Sequence, residues 1–223
     1  MNRKHIFAPD EFYHVYNRGV DKRTIFTDSL DKERFLKLLY LSNGDKPYVV
    51  RDIDKARVYS FDRGQKLVAI CVYALMDNHF HLLLRELADG GISKFMQKLT
   101  TAYTMYFNTK NQRSGALFQG VFRSKHVDED EYLRHVASYI HMNPLDMHQP
   151  LWKEGGITNK KAAAGFLEGY RYHSLPDYLN KDRVEKIILD LDQFPKYYQD
   201  SKEMLEDIDD WIDLVSEIEK SLV

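Results

Sequence analysis

The run Leu67-Val68-Ala69-Ile70-Cys71-Val72-Tyr73-Ala74-Leu75-Met76, then Asp77-Asn78, then His79-Phe80-His81-Leu82-Leu83-Leu84-Arg85-Glu86, decides how this chain folds. The first stretch is apolar at nearly every position, as a central strand covered on at least one face should be. Asp77-Asn78 is a turn signal, so residues 79–86 are expected to return as the antiparallel partner. On a strand, residues two apart project from the same face. Phe80, Leu82 and Leu84 therefore look into a core, while His79 and His81 share the other side.

Upstream, residues 11–18 alternate as a strand, with Phe12, His14 and Tyr16 on one face and Tyr13, Val15 and Asn17 on the other. Gly19 ends it. Asp28 or Ser29 caps a helix to about Asn43, with Phe35, Leu36, Leu38, Leu39 and Tyr40 on its apolar side. Residues 45–64 are charged, include Pro47 and Gly64, and are expected to form a loop or insertion with a short edge strand. Downstream, Asp89-Gly90-Gly91 precedes a helix from about Ile92 to Asn108, whose Phe95, Leu99, Ala102, Tyr103 and Tyr106 line one side. Residues 121–127 form a short strand, Asp128 caps a helix to about His141, and Pro144 closes it.

The order β, α, β, β, α, β, α predicts an α+β sandwich with helices on one face of an antiparallel sheet, rather than a doubly wound parallel fold. Beyond Pro150 the chain turns irregular and then into acidic helical segments, 183–191 and 202–222. The expected division is a domain over 1–150 and a C-terminal helical extension over 151–223.

With 43% hydrophobic and 30% charged residues, the 223-residue chain is expected to be soluble and globular. Its apolar runs are too short to cross a bilayer as a helix, and the N-terminus leads into no stretch of signal-peptide length. A cytoplasmic address with no membrane partner is the expectation. Cys71 is the only cysteine, which excludes an intrachain disulfide and a multi-cysteine zinc site. The formal charge of −2 hides an asymmetry: residues 181–223 hold 6 Lys/Arg against 13 Asp/Glu, leaving 26 against 21 in residues 1–180. Residues 91–126 carry Lys94, Lys98, Lys110, Arg113, Arg123 and Lys125 without one acid. Such a surface can neutralise phosphates whatever the total charge. Charge permits a nucleic-acid partner without establishing one.

Two imidazoles on one strand face can address one metal ion, but they leave its shell incomplete. Alone, such a pair is also the ordinary pattern of histidines on a sheet surface. In Ser138-Tyr139-Ile140-His141-Met142-Asn143-Pro144, Tyr139 and Asn143 lie one helical turn apart and share a face. A phenol is a poor nucleophile at neutral pH, its reference pKa being near ~10. A metal drawing charge from a phosphate offsets this, and attack would leave a covalent phosphotyrosine. Tyr139 is equally one of 15 tyrosines that could fill a core. His135 shares its face, Tyr132 is a rival nucleophile by position, and His126 has no assigned role.

Four motifs occur together in order: Tyr13-His14-Val15-Tyr16-Asn17-Arg18-Gly19, Leu75-Met76-Asp77-Asn78-His79-Phe80-His81-Leu82-Leu83, Phe118-Gln119-Gly120-Val121-Phe122-Arg123, and Tyr139-Ile140-His141-Met142-Asn143-Pro144. Over about residues 12–144 this combination closely resembles the REP-associated tyrosine transposases, within the single-tyrosine HUH superfamily. A weaker likeness extends to Tyr170-Arg171-Tyr172-His173-Ser174-Leu175. The resemblance implies a ferredoxin-like antiparallel sheet with helices packed on it, His79 and His81 as metal ligands, Tyr139 as nucleophile and Asn143 as a third polar ligand. It implies cleavage and rejoining of single-stranded DNA near hairpins, through a 5′-phosphotyrosine and a free 3′-hydroxyl. Mg2+ is the implied metal, with Mn2+ substituting. Related enzymes include dimers and monomers, so a homodimer stays open.

Arg18, Lys22, Arg23, Arg123 and Lys125 are the residues expected at phosphates. Aromatics between cations, such as Phe118 and Phe122, suit stacking on unpaired bases, whereas Tyr103 and Tyr106 are read as core. Two rival readings are a DNA-hairpin-binding protein of the same fold with lost or secondary cleavage, and a His-x-His hydrolase using water.

Overall fold

The computed structural model describes residues 7–152 and 156–197, together with 203, 206 and 210. Apart from those last three, the helix expected over 202–222 lies outside the described residues. Strands β1 (Phe12–Arg18), β2 (Val68–Leu75), β3 (His79–Glu86) and β4 (Arg123–Val127) form one four-stranded sheet in the order β2-β3-β1-β4. Every pairing is antiparallel. Helix α1 (Ser29–Ser42) joins β1 to β2, and α2 (Gly91–Lys110) joins β3 to β4. This is the β-α-β-β-α-β ferredoxin-like arrangement.

Local chemistry fixes each junction. Asp28 caps α1 by accepting from the Asp31 amide at 3.0 Å. The α1 C-cap, Asn43, is fully buried and holds β2: its Nδ2 donates to the Val68 carbonyl, and its Oδ1 accepts from the Leu67 and Val68 amides. Buried Glu86, at the end of β3, accepts from the Gly91 amide at 3.0 Å and the Ile92 amide at 2.7 Å. Those are orphan donors of the first turn of α2. A side chain at position 91 would meet the Leu67 carbonyl oxygen at 2.2 Å, so only glycine fits there.

Helices α1 and α2 cover the sheet face bearing Val15, Ile70, Phe80, Leu82 and Leu84. The expectation of helices on one face holds for these two only. Helix α3 (Asp130–Met142) packs Leu133, Val136 and Ile140 on the opposite face, against Val72, Ala74 and Leu83. A register irregularity between Ile70 and Val72 turns both Cys71 and Val72 toward α3. Every residue of β2 is buried in consequence.

Several local expectations are corrected. Residues 45–64 contain the 3-10 helices Val50–Asp52 and Lys55–Ser60 in place of an edge strand; the Asp54 carboxylate, accepting from the Ala56 amide, favours the helical turn. Glu129, not Asp128, occupies the α3 cap position, and it makes no side-chain cap bond. Residues beyond 150 include the helix Lys160–Gly169, capped by Asn159 at the Ala162 amide. The segment 183–191 is not an α-helix but carries the 3-10 helix Val184–Ile188. Around residues 172–174 the chain lies along the outer edge of β2, where the Leu75 amide donates to the Tyr172 carbonyl and the Ser174 amide to that of Tyr73. This covers an otherwise open edge. Ile188 and Leu189 enter the α1–α2 core and Phe194 the α3 core. Among the described residues, no helix is long and apolar enough to cross a membrane.

Candidate active site

Strand register builds the site. Tyr16 pairs with His81 and Arg18 with His79 across β1 and β3, while His14 pairs with Lys125 and Tyr16 with Arg123 across β1 and β4. Alternation puts His14, Tyr16, His79, His81, Arg123 and Lys125 on the α3 side of the sheet. The two paired histidines meet at a ring separation of 5.2 Å and an angle of 79°. Helix α3 crosses above them and brings Tyr139 edge-on to His81, with centroids 5.9 Å apart and planes at 90°. The Tyr139 ring also stands 6.1 Å from that of His14.

Hydrogen bonds orient both imidazoles. Asn78 Oδ1 lies 2.6 Å from His79 Nδ1, and an amide oxygen only accepts, so the His79 ring proton sits on Nδ1. His81 Nδ1 lies 2.7 Å from His14 Nε2. Burial, followed by the nearby Lys125 charge, pulls His14 down to about 4. Tyr16 stacks on His81 at 5.4 Å and 20°. Partners on the second ring nitrogen are how proteins aim a ligating histidine. The donor set thus fits a divalent ion that draws its remaining ligands from oxygens. Among the described residues no group of three His, Cys, Asp or Glu converges on one point. Asn143 is buried at the C-cap of α3, where its Nδ2 donates to the Tyr139 carbonyl at 2.8 Å.

An open pocket of about 270 Å³ adjoins the histidine pair, and Tyr16, Arg18, Lys22, Gln119 and Arg123 contribute to its walls. Arg18 Nε donates to Gln119 Oε1 at 2.5 Å. Three of the five expected phosphate-binding residues, Arg18, Lys22 and Arg123, therefore collect beside His79 and His81. Lys125 lies one row along β4, with its ammonium 4.5 Å from the centre of the Tyr132 ring. Arg23 is turned back on its own loop, where Nε donates to the Val20 carbonyl at 3.2 Å.

Other members of the basic stretch support local structure. Lys110 pairs with Asp28 and Asp31, and Lys98 donates to the Gly44 and Lys46 carbonyls. Tyr103 is core, its hydroxyl donating to the Ile25 carbonyl. Phe118 and Phe107 are buried with it. His135 lies 4.0 Å from Glu131, and His126 donates to Glu11 at 2.9 Å. Fully buried His141 meets the Ser174 hydroxyl at 2.9 Å.

Sequence reasoning assigned no role to His14, Tyr16, Asn78 or Gln119. Strand alternation places His14 and Tyr16 on one face, but only the pairing of β1 with β3 puts them against His81. Asn78 was legible only as a turn residue.

The assembled site is a cation-lined pocket at a histidine pair, on one face of a ferredoxin-like sheet and overhung by a tyrosine from a helix. Residues 56–143 match the family model described as "Transposase IS200 like". A solved structure of a REP-associated tyrosine transposase bound to a REP hairpin is similar at 10% identity and a TM-score of 0.48, covering 83% of this chain and 90% of that one. Among curated proteins, none matches.

Proposed function

We propose that this protein cleaves and rejoins single-stranded DNA near hairpins, with Tyr139 as nucleophile and His79 and His81 as ligands of a divalent metal, Mg2+ or Mn2+. The observation that carries this reading is the perpendicular approach of Tyr139 to His81, inside the stretch that matches IS200-like transposases. His79 and His81 would hold the ion through Nε2, with Asn143 a further candidate ligand. When bound, the metal supplies charge neutralisation at the scissile phosphate and so raises the electrophilicity of phosphorus.

The remaining work falls to the chain. Arg18, Lys22 and Arg123 hold the phosphates flanking the scissile bond. The Tyr139 oxygen forms a bond to phosphorus as it gives up its proton, and the phosphorus–O3′ bond breaks. The departing 3′ oxygen takes up a proton, which leaves a 5′-phosphotyrosine and a free 3′-hydroxyl. Rejoining reverses these steps with an incoming 3′-hydroxyl, which releases the phenol.

The test is incubation of the full chain with hairpin-bearing single strands and Mg2+ or Mn2+, followed by denaturing electrophoresis and mass spectrometry of the DNA-linked peptide. A covalent adduct at Tyr139 is expected. Cleavage without any adduct would identify a hydrolase, and hairpin binding without cleavage would identify a DNA-binding protein.

A further inference from the structure

We infer that His14 is a positioning residue for His81: it accepts the Nδ1 proton of His81 and so fixes the tautomer and ring orientation with which His81 offers Nε2 to a metal. The inference rests on the metal-site reading given above and adds to it a residue outside the His-x-His pair. His14 Nε2 and His81 Nδ1 are 2.7 Å apart, closer than two rings stacked face to face can bring their atoms. The centroids lie 4.9 Å apart with 25° between planes, so the rings meet nitrogen to nitrogen and close to one plane. That is the geometry of a hydrogen bond.

A neutral imidazole carries one ring proton. If His81 gives Nε2 to an ion, that proton stands on Nδ1, and the atom facing it must accept. His14 Nε2 stands at that place, 2.7 Å from His81 Nδ1. The contact is well suited to hold an orientation. His14 is 8% exposed and His81 7% exposed, so water competes little for either nitrogen. Tyr16 stacks on His81, and its ring centre lies 5.2 Å from that of His14, so an aromatic ring packs beside both imidazoles. Asn78 performs the same service for His79. Each histidine of the pair thus has its own acceptor behind it, one an amide oxygen and the other an imidazole nitrogen.

Two measurements on the full chain test this. The first is the ring tautomer of His81, read without metal from two-bond nitrogen–proton correlations in 15N-histidine-labelled protein. The Nδ1–H form is expected in the wild type, with a shift toward Nε2–H in His14→Phe, which keeps a ring but carries no acceptor. An Nε2–H form in the wild type, or an unchanged Nδ1–H form in His14→Phe, would overturn the proposal. The second is Mn2+ binding by calorimetry. His14→Phe is expected to weaken binding by ~10–100-fold, the usual cost of losing such a partner. His14→Gln, whose amide oxygen reaches the same place, should recover most of it. Equal affinity in the wild type and His14→Phe would sink the idea. Mn2+ binding unaffected by His79→Ala would count against the metal site itself, and the tautomer measurement would still decide the role of His14.

Discussion

The ring of Tyr139 stands perpendicular to that of His81, at 90° and 5.9 Å, although 58 positions separate the two residues along the chain. One residue comes from a helix and the other from the sheet beneath it, so separate substitutions can test the nucleophile and the metal ligand. Tyr139→Phe is expected to abolish cleavage and adduct formation while leaving Mn2+ affinity within a few-fold of wild type. His81→Ala should lose both. Calorimetry beside an adduct gel makes the comparison, and an intact adduct in Tyr139→Phe would exclude Tyr139 as the nucleophile.

Arg18 and Arg123 flank the histidine pair in one pocket. Each is expected to neutralise about one phosphate, so Arg18→Ala and Arg123→Ala should each lower the slope of log affinity against log salt by about 1. Arg23→Ala, whose guanidinium is tied to the Val20 carbonyl, should change the slope less. Hairpin binding measured across a salt series decides. Equal slopes in all three variants and wild type would place the DNA elsewhere.

Part of the acidic C-terminal region packs into the cores. Ile188, Leu189 and Phe194 are buried in the cores, so a truncation that tests whether acidic residues shield the basic pocket must begin after Tyr197. Removing 198–223 deletes 9 acidic and 2 basic residues, a change of +7. If this segment shields the pocket, the truncated chain will bind hairpins more tightly at low salt and converge with the full chain at high salt. Unchanged affinity throughout would assign it no such role.

His141 and His173 are fully buried, and burial pulls both below the ordinary histidine value, to about 3 in His173. Both stay neutral in the folded chain at pH 7 but protonate near ~6.5 once unfolded. Below that pH the unfolded chain binds more protons, so the stability they contribute is complete above about 6.5 and is lost as pH falls toward the folded values. The melting temperature should drop between pH 7 and pH 5. His173→Gln should flatten that drop whatever its effect at pH 7, and a slope identical to wild type would show that His173 does not govern it.

Much of the scaffold was legible because its signals are local. The apolar run at β2, the turn at Asp77 and Asn78, and the glycines before α2 each act on their own few residues, and the observed elements lie close to the expected ones. The errors share a cause as well. Over residues 45–64, charge and breakers mark a connection without saying how its backbone satisfies itself, and two 3-10 helices do so in place of the expected edge strand. Residues 160–169 are helical where the sequence predicts irregular chain, because this segment gains its order by packing Ala163 and Leu167 beside Trp152.

The chain's own letters determined which residue types were available and which way strand alternation turned them: two imidazoles side by side on β3, and a phenol and an amide one turn apart on a helix. Which of them meet was settled only in three dimensions. Antiparallel pairing of β1 with β3 slid His14 and Tyr16 against His81, and packing of α3 on the sheet face away from α1 and α2 lowered Tyr139 onto the same ring. Periodicity is a property of one segment and register a property of two. Contacts across strands and layers follow from burying both faces of the sheet at once, a condition that no single stretch of sequence carries.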